Sequence, residues 1–311
     1  PLGAATGRSL GAIGQAFTWT ETGGTVALPG LPGFPYATGN GINDLGQAVG
    51  TAAATVWGSD PRPVLWQEGA VIELPLPPGH SVGRAEDING SGLAVGSVGG
   101  GIGQQGALFT EGSSSVVSTT TPEGCTVTSF FAVNDAGLAV GTGSDPDDAA
   151  RNVGFVYDTG TDTAWEVGAL AGANGALCFG VSNAGHVVGA SMQFQGAGLP
   201  FVWTEADGIQ AVPLPEGTSQ GSGRDANSEG WVVGTASSAY AIPFLFAGET
   251  THRLHDLLPA DSGWDLQENT FSSAEGISED GLIVGSGVYL GDIRAYAMIP
   301  DDAVPTLLQE F

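Results

Sequence analysis

The chain has 311 residues, with 52 Gly, 18 Pro and 41% hydrophobic side chains, which is enough apolar surface for a core but is cut into short pieces. Seven Arg and no Lys stand against 33 Asp plus Glu, for a formal charge of -26. That field repels nucleic acid and anionic membranes, and no apolar run reaches the roughly 18 to 20 residues of a membrane span, so both partners are excluded.

In chain order, "PLGAATGRSLGAIGQ" opens the sequence, followed by "AFTW" ending at Trp19 and by "TVALP". At Gly41 begins "GINDLGQAVGTA", which returns as "DINGSGLAVGSV", "AVNDAGLAVGTG", "VSNAGHVVGAS", "DANSEGWVVGTA" and "GISEDGLIVGSG". The shared form is Asn or Ser, two residues, Gly, two residues, Val-Gly, with the last Gly at 50, 96, 141, 189, 234 and 285. A strand-built period near 45 residues is the mark of a propeller blade.

A second string keeps the same period: "AFTW", "PVLW" at Trp66, "ALF" at Phe109, "GFVY" at Tyr157, "PFVW" at Trp203, "PFLF" at Phe246 and "AYAM" at Met298. A weaker Leu/Val strand follows each one. Each unit then reads as four strands: A ending in the Asn or Ser position, B carrying Val-Gly, C ending in the aromatic, and D. The expectation is an all-β fold, a single β-propeller of seven four-stranded blades with a degenerate first blade at ring closure. Approximate blades are 1–34, 35–80, 81–122, 123–170, 171–217, 218–262 and 263–311, with "AIGQ" at 12–15 standing in for the first B strand. The Asn or Ser is expected to close the A–B hairpin as a two-residue turn with Gly at positive φ. The Val-Gly glycine marks close approach of a neighbouring blade, and the C-strand aromatic fills the gap between blades.

The "AF.W" strand and the "IN..G..VG" hairpin resemble the bacterial extracellular HAF-repeat family over nearly the whole chain. The name motif itself is replaced by "QAF" at Gln15 to Phe17. The resemblance implies export and a repeated β fold; it implies no catalytic residue. Export also fits the acidic, Lys-free composition, as does adaptation to high salt. A start at Pro1 in place of Met suggests that a leader or upstream segment was removed. The expected localisation is extracellular or periplasmic, and the expected state a monomer.

In propellers of this strand order the D–A and B–C loops share the ligand face. Three residues before each Asn or Ser stand Asn40, Glu86, Phe131, Phe179, Arg224 and Glu275, a mixture that suits an asymmetric ligand at the channel mouth. Tyr36, His80, Arg84 and Asp225 lie on adjacent positions, and Trp264, in the longest D–A segment, is placed to fold over the entrance. Two functions follow. The first is a secreted binding propeller that recognises a glycan or small extracellular molecule through Tyr36, Asn40, Arg84, Phe131, Phe179, Asp225 and Trp264. The second is a carbohydrate-active hydrolase or lyase with Glu86 and Glu275 as acid and base beside Arg224 and His80. A third reading is a structural or adhesive shell whose mouth residues are solvated or ion-paired.

Other motifs carry less. "GHSVG" at 79–83 and "GTSQG" at 217–221 match the esterase elbow but occupy the same loop of different blades, and "GIGQQG" at 101–106 has no following helix. No cofactor is expected. Calcium near Asp145, Asp147 and Asp148 competes with a plain exposed turn. The four His lack metal spacing, His252 and His255 facing opposite ways on one D strand. Cys125 and Cys178 are expected as two buried thiols, with an inter-blade disulfide as the alternative.

Overall fold

A computed structural model describes residues 4–9, 14–55, 58–99, 103–193, 197–301 and 304–310, with 299–301 and 304–310 as backbone only. Two compact units make up the chain: Pro1–Ala149 with Phe155–Glu166, and Ala150–Gly154 with Val167–Phe311.

The fold is an all-β, seven-bladed propeller whose blades are antiparallel sheets following one another along the sequence. Sheet 1 contains β1 (Ala4–Arg8), β2 (Ala16–Thr20) and β3 (Gly24–Ala27). Sheet 2 contains β4 (Tyr36–Ile42), β5 (Ala48–Ala53), β6 (Arg62–Gln67) and β7 (Ala70–Glu73), and sheet 3 contains β8 (Val82–Ile88), β9 (Ala94–Gly99), β10 (Gln105–Thr110) and β11 (Ser113–Val116). Sheet 4 contains β12 (Thr126–Val133), β13 (Leu138–Ser144), β14 (Asn152–Asp158) and β15 (Thr163–Glu166). Sheet 5 contains β16 (Ala173–Val181), β17 (Val187–Gln193), β18 (Gly198–Thr204) and β19 (Gly208–Ala211). Sheet 6 contains β20 (Gln220–Ala226), β21 (Val232–Ser237), β22 (Ala241–Ala247) and β23 (Thr250–Arg253). Sheet 7 adds the short β24 (Trp264–Asp265) to β25 (Ser273–Ile277), β26 (Ile283–Tyr289), β27 (Asp292–Asp301) and β28 (Val304–Glu310).

The first blade is short in an unexpected way. Its B strand is β1, with Ala4 opposite Thr20 and Arg8 opposite Ala16. "AIGQ" therefore does not fill that place: Ala12 and Ile13 lie outside the described residues, and Gln15 belongs to the β1–β2 connection, its carbonyl accepting the Ser9 N–H.

The repeated hairpin follows from one side chain. Asn43 N–H donates to the Gln47 carbonyl while Gly46 N–H donates back to the Asn43 carbonyl, so the loop has three residues, not two. That leaves Gln47 N–H without a backbone acceptor, and Asn43 Oδ1 takes it at 3.0 Å together with Leu45 N–H at 3.1 Å. Gly46 closes the loop at φ 75°, a left-handed conformation that costs other residues energy. Ser182 and Ser278 do the same with a hydroxyl, accepting His186 and Leu282 N–H. Asn has a second use: Asn43 Nδ2 donates to the Asn89 carbonyl, and Asn89 Nδ2 to that of Asn134, tying sheets 2, 3 and 4.

The middles of the C strands are buried on both faces, as in the Asn152–Asp158 strand, and Trp19, Trp66, Phe109, Phe155, Tyr157, Phe201, Phe244 and Tyr296 are all buried. Each such aromatic contributes about 2–3 kcal/mol of burial. Trp264 belongs to the same layer, clustered with Leu254, Leu266, Tyr296 and Met298.

Candidate functional site

Six of the sequence-nominated residues share a structural cause. On every A strand from sheet 2 to sheet 7 the register slips by one residue, between Gly39 and Gly41, Ala85 and Asp87, Phe130 and Ala132, Cys178 and Gly180, Gly223 and Asp225, and Ala274 and Gly276. The extra residues are Asn40, Glu86, Phe131, Phe179, Arg224 and Glu275. A β-bulge leaves its extra residue outside the ladder and re-aims the side chain, which frees that position from the repeat.

The Val-Gly glycine is the counterpart of the bulge. A Cβ on Gly50, Gly96, Gly141, Gly189, Gly234 or Gly285 would overlap the carbonyl oxygen of Thr38, Arg84, Ser129, Leu177, Ser222 or Ser273 respectively. The close approach thus comes from the A strand of the same sheet, correcting the expectation of a neighbouring blade. The bulges also lie two residues short of the A–B hairpin. They therefore sit nearer that end than the D–A and B–C end where the sequence reading placed them.

In the first unit, Asn40 Nδ2 donates to the Ala85 carbonyl at 2.9 Å and to Glu86 Oε2 at 3.1 Å. Burial pushes the Glu86 carboxyl above its ordinary range, and the charge of Arg84 pulls it partly back. Phe131 is half-buried on β12. In the second unit, the Arg224 guanidinium lies 5.0 Å above the Phe179 ring centre and 3.9 Å from Glu275 Oε2, so bulge residues of sheets 5, 6 and 7 meet. Glu86 and Glu275 belong to different units.

Next to the bulge, two aspartates act alike. Asp87 accepts Ile88 N–H at 2.8 Å and, from the next sheet, Val133 N–H at 2.9 Å. Asp225 accepts Ala226 N–H at 2.8 Å and Ile277 N–H at 3.0 Å. Burial pushes the Asp87 carboxyl up to about 7; the two amides oppose this, and Asp135 and Glu86 add to it. Sequence reasoning named Asp225 and missed Asp87. The signal was a Gly at the equivalent place one repeat earlier, Gly41 before Asp87 and Gly180 before Asp225.

The D–A and B–C end holds a different group. Tyr36 pairs with Ala53 at the end of β5, and Tyr36 and Arg84 line an open cleft of about 270 Å³ with Arg8, Ala37, Thr38, Thr51, Ala53, Thr55 and Gly58. His80 precedes β8, with Nε2 3.1 Å from Gln105 Oε1 and a buried Nδ1 that has no partner among the described residues.

Further placements complete the picture. Trp264 offers no free ring face: it is 5% exposed, and its indole packs on Tyr289 and, edge-on, on Tyr296, because β24 adds a strand to sheet 7. His255 lies in a 3-10 turn (Leu254–Leu257), off strand β23, and its Nδ1 accepts Leu266 N–H. Asp145 Oδ1 accepts the N–H groups of Asp147 and Asp148, capping its own turn. Among the described residues no three His, Cys, Asp or Glu side chains group as a metal site. Cys125 and Cys178 are buried thiols with no disulfide. Of "GIGQQG", Gly101 and Ile102 lie outside the described residues, and the remainder leads into strand β10.

No protein-family model matches the sequence, and no curated protein matches it. Solved structures do match. A puromycin hydrolase variant complexed with PGG superposes with a TM-score of 0.57 at 10% identity over 99% of this chain and 52% of that one, so the chain spans about half the hydrolase. YCF48 bound to D1 peptide gives 0.51 at 10% identity, over 90% of this chain and 84% of that one. A putative TolB from Agrobacterium tumefaciens gives 0.44 at 14% identity, over 80% and 77%. At such identities the likeness to the first two shows the fold alone.

Proposed function

We propose that this chain is a binding propeller of the cell exterior or periplasm that recognises a glycan or another small extracellular ligand on its D–A/B–C end. The observation that carries this is the cleft lined by Tyr36 and Arg84, whose volume of about 270 Å³ is near the lower limit of roughly 300 Å³ for ligand pockets. An aromatic ring beside guanidinium and hydroxyl groups matches the mixed apolar and hydrogen-bonding surface of a sugar. The HAF-repeat-like hairpins and the -26 charge without Lys support an exported protein. No helix among the described residues is long and apolar enough to cross a membrane. The same fold serves a peptide complex in YCF48.

Within the second unit, the bulge residues Phe179, Arg224 and Glu275, with the adjoining Asp225, supply a second candidate contact surface, and within the first unit Asn40, Glu86 and Phe131 supply another. A glycan array with a panel of small glycosides, run at high salt, tests the reading. Binding should weaken in Tyr36→Ala and stay as in the wild type in Phe131→Ala, whose bulge lies toward the A–B end; a wild-type protein that retains no glycan and no small ligand would remove the proposal.

One observation favours an enzyme. Burial raises the Glu86 carboxyl from its ordinary value while Arg84 pulls it partly back, and a raised carboxyl is the direction in which a general acid is tuned. On that reading Glu86, with His80 in the same unit, serves a carbohydrate hydrolase or lyase, and Arg224 with Glu275 forms a separate ion pair in the second unit. Glu86→Gln should then abolish turnover of any substrate found while leaving its binding; unchanged turnover excludes it.

A further inference from the structure

We infer that the cleft beside β4 is an anion site, so that the ligand of this end of the propeller carries a carboxylate or sulfate group, as an acidic saccharide does. The inference rests on the binding reading above for the kind of ligand and adds its charge.

Cations are scarce in this chain. Only seven Arg face 33 carboxylates, so an arginine in this chain finds an anionic partner easily. Arg62 pairs with Asp60 and Glu73, Arg294 with Asp292, and Arg224 with Glu275. Arg253 donates to the Glu216 carbonyl, and Arg151 has partners of its own. Arg8 and Arg84 are the exceptions: neither makes a salt bridge or a side-chain hydrogen bond with another described residue, although Glu86 feels the Arg84 charge. These two line one cleft, Arg8 from the end of β1 and Arg84 from β8, on either side of the start of β4.

The repeat shows that the fold does not ask for Arg84. Its counterparts two residues before the other bulges are Thr38, Ser129, Leu177, Ser222 and Ser273. The cleft also keeps hydroxyls in reserve. Thr51 is 6% exposed and its Oγ1 has no hydrogen-bond partner among the described residues. At the same repeat position Thr235 accepts Ala274 N–H and Ser286 donates to the Phe271 carbonyl. Tyr36, on the same wall, makes no side-chain hydrogen bond with a described residue.

Two guanidinium forks beside spare hydroxyls match the oxygens of a carboxylate or sulfate, which accept paired N–H donors in a plane. The chain's overall negative field repels anions at long range, so only local donors of this kind can hold one. Two arginines without salt bridges or side-chain hydrogen bonds among the described residues, set beside one cleft, would otherwise forfeit contacts that the other arginines make.

The test is calorimetric titration at constant ionic strength with glucuronate, glucose 6-sulfate, sodium sulfate and neutral glucose. The proteins are the full chain, Arg8→Gln, Arg84→Gln and the double variant. Both side chains are exposed, so the variants should keep the wild-type melting temperature. Glucuronate or glucose 6-sulfate should bind, the stronger of them identifying carboxylate or sulfate as the source, with glucose at least roughly tenfold weaker. Each single change should cost roughly tenfold, and the double change should remove measurable binding. If no anion binds, or if the double variant binds as the wild type does, the inference is overturned. A neutral glycan bound on the array while every anion fails would sink the anion site and leave the binding reading standing. Anions bound through the arginines with no glycan retained would support the site and remove the glycan.

Discussion

Gly41 lies so close to Asp87 that a Cβ on the glycine would stand 2.6 Å from the aspartate Oδ1 and 2.7 Å from its Cα. The same contact recurs in sheets 5 and 6, where a Cβ on Gly180 would stand 2.9 Å from Asp225 Cα. The backbone of one A strand therefore seats the aspartate of the next. Gly41→Ala and Gly180→Ala should each destabilise by about 1–3 kcal/mol in urea denaturation, because backbone must move to admit the methyl group. Gly276→Ala, whose nearest obstacle is Val284 Cγ2 at 3.3 Å, should cost less. Equal stability of all three would show that these strands separate freely.

The Asp87 carboxyl gives stability a pH dependence. Its ordinary value is 3.8 and burial lifts it to about 7, so between those values the folded chain holds a proton that the unfolded chain releases. The contribution of this group is complete below about pH 4 and is lost as pH rises through about 7. The wild-type melting temperature should fall over that window more steeply than that of Asp87→Asn. Identical slopes would remove this account.

Asn43 does two things that serine can only half replace. Oδ1 receives Leu45 and Gln47 N–H, whereas Nδ2 reaches the Asn89 carbonyl of the next sheet at 2.9 Å. Asn43→Ala should cost about 1–3 kcal/mol by leaving buried groups unpaired. Asn43→Ser should cost less, since Ser182 caps the equivalent loop in sheet 5. A serine variant as unstable as the alanine one would assign the effect to the link between sheets.

Thr51 should behave in the opposite direction. Replacing its buried hydroxyl, which has no partner among the described residues, by a methyl group, in Thr51→Val, removes a desolvation cost and keeps the shape. The expected result is a melting temperature equal to or above that of the wild type, measured without ligand. A clear fall would mean that the hydroxyl is satisfied in solution.

The formal charge of -26 predicts a response to salt. Mutual repulsion of carboxylates lowers stability at low ionic strength, and screening relieves it. The melting temperature should climb as sodium chloride is added; a flat or descending curve would contradict this.

Much of the blade was legible in the sequence because it depends on local chemistry. The Asn or Ser that caps a loop, the Gly at positive φ and the aromatic ending each C strand all act within a few residues, so their period survives in one dimension. Even the six bulge residues could be found as the places where the repeats stop agreeing. Why they disagree was hidden, because a bulge is a relation between Asn40 and the Gly39–Gly50 and Gly41–Val49 pairs around it.

The tertiary structure alone decided the rest. It turned Trp264 from an entrance residue into core, since β24 joins sheet 7. It brought Arg224, Phe179 and Glu275 from three repeats into contact, and it revealed Asp87 as a clamp between sheets. It also placed Arg8 and Arg84, 76 positions apart in sequence, on one cleft. Period and turn chemistry are properties of neighbours along the chain; an unpaired arginine is a property of neighbours in space, which only the packed sheets supply.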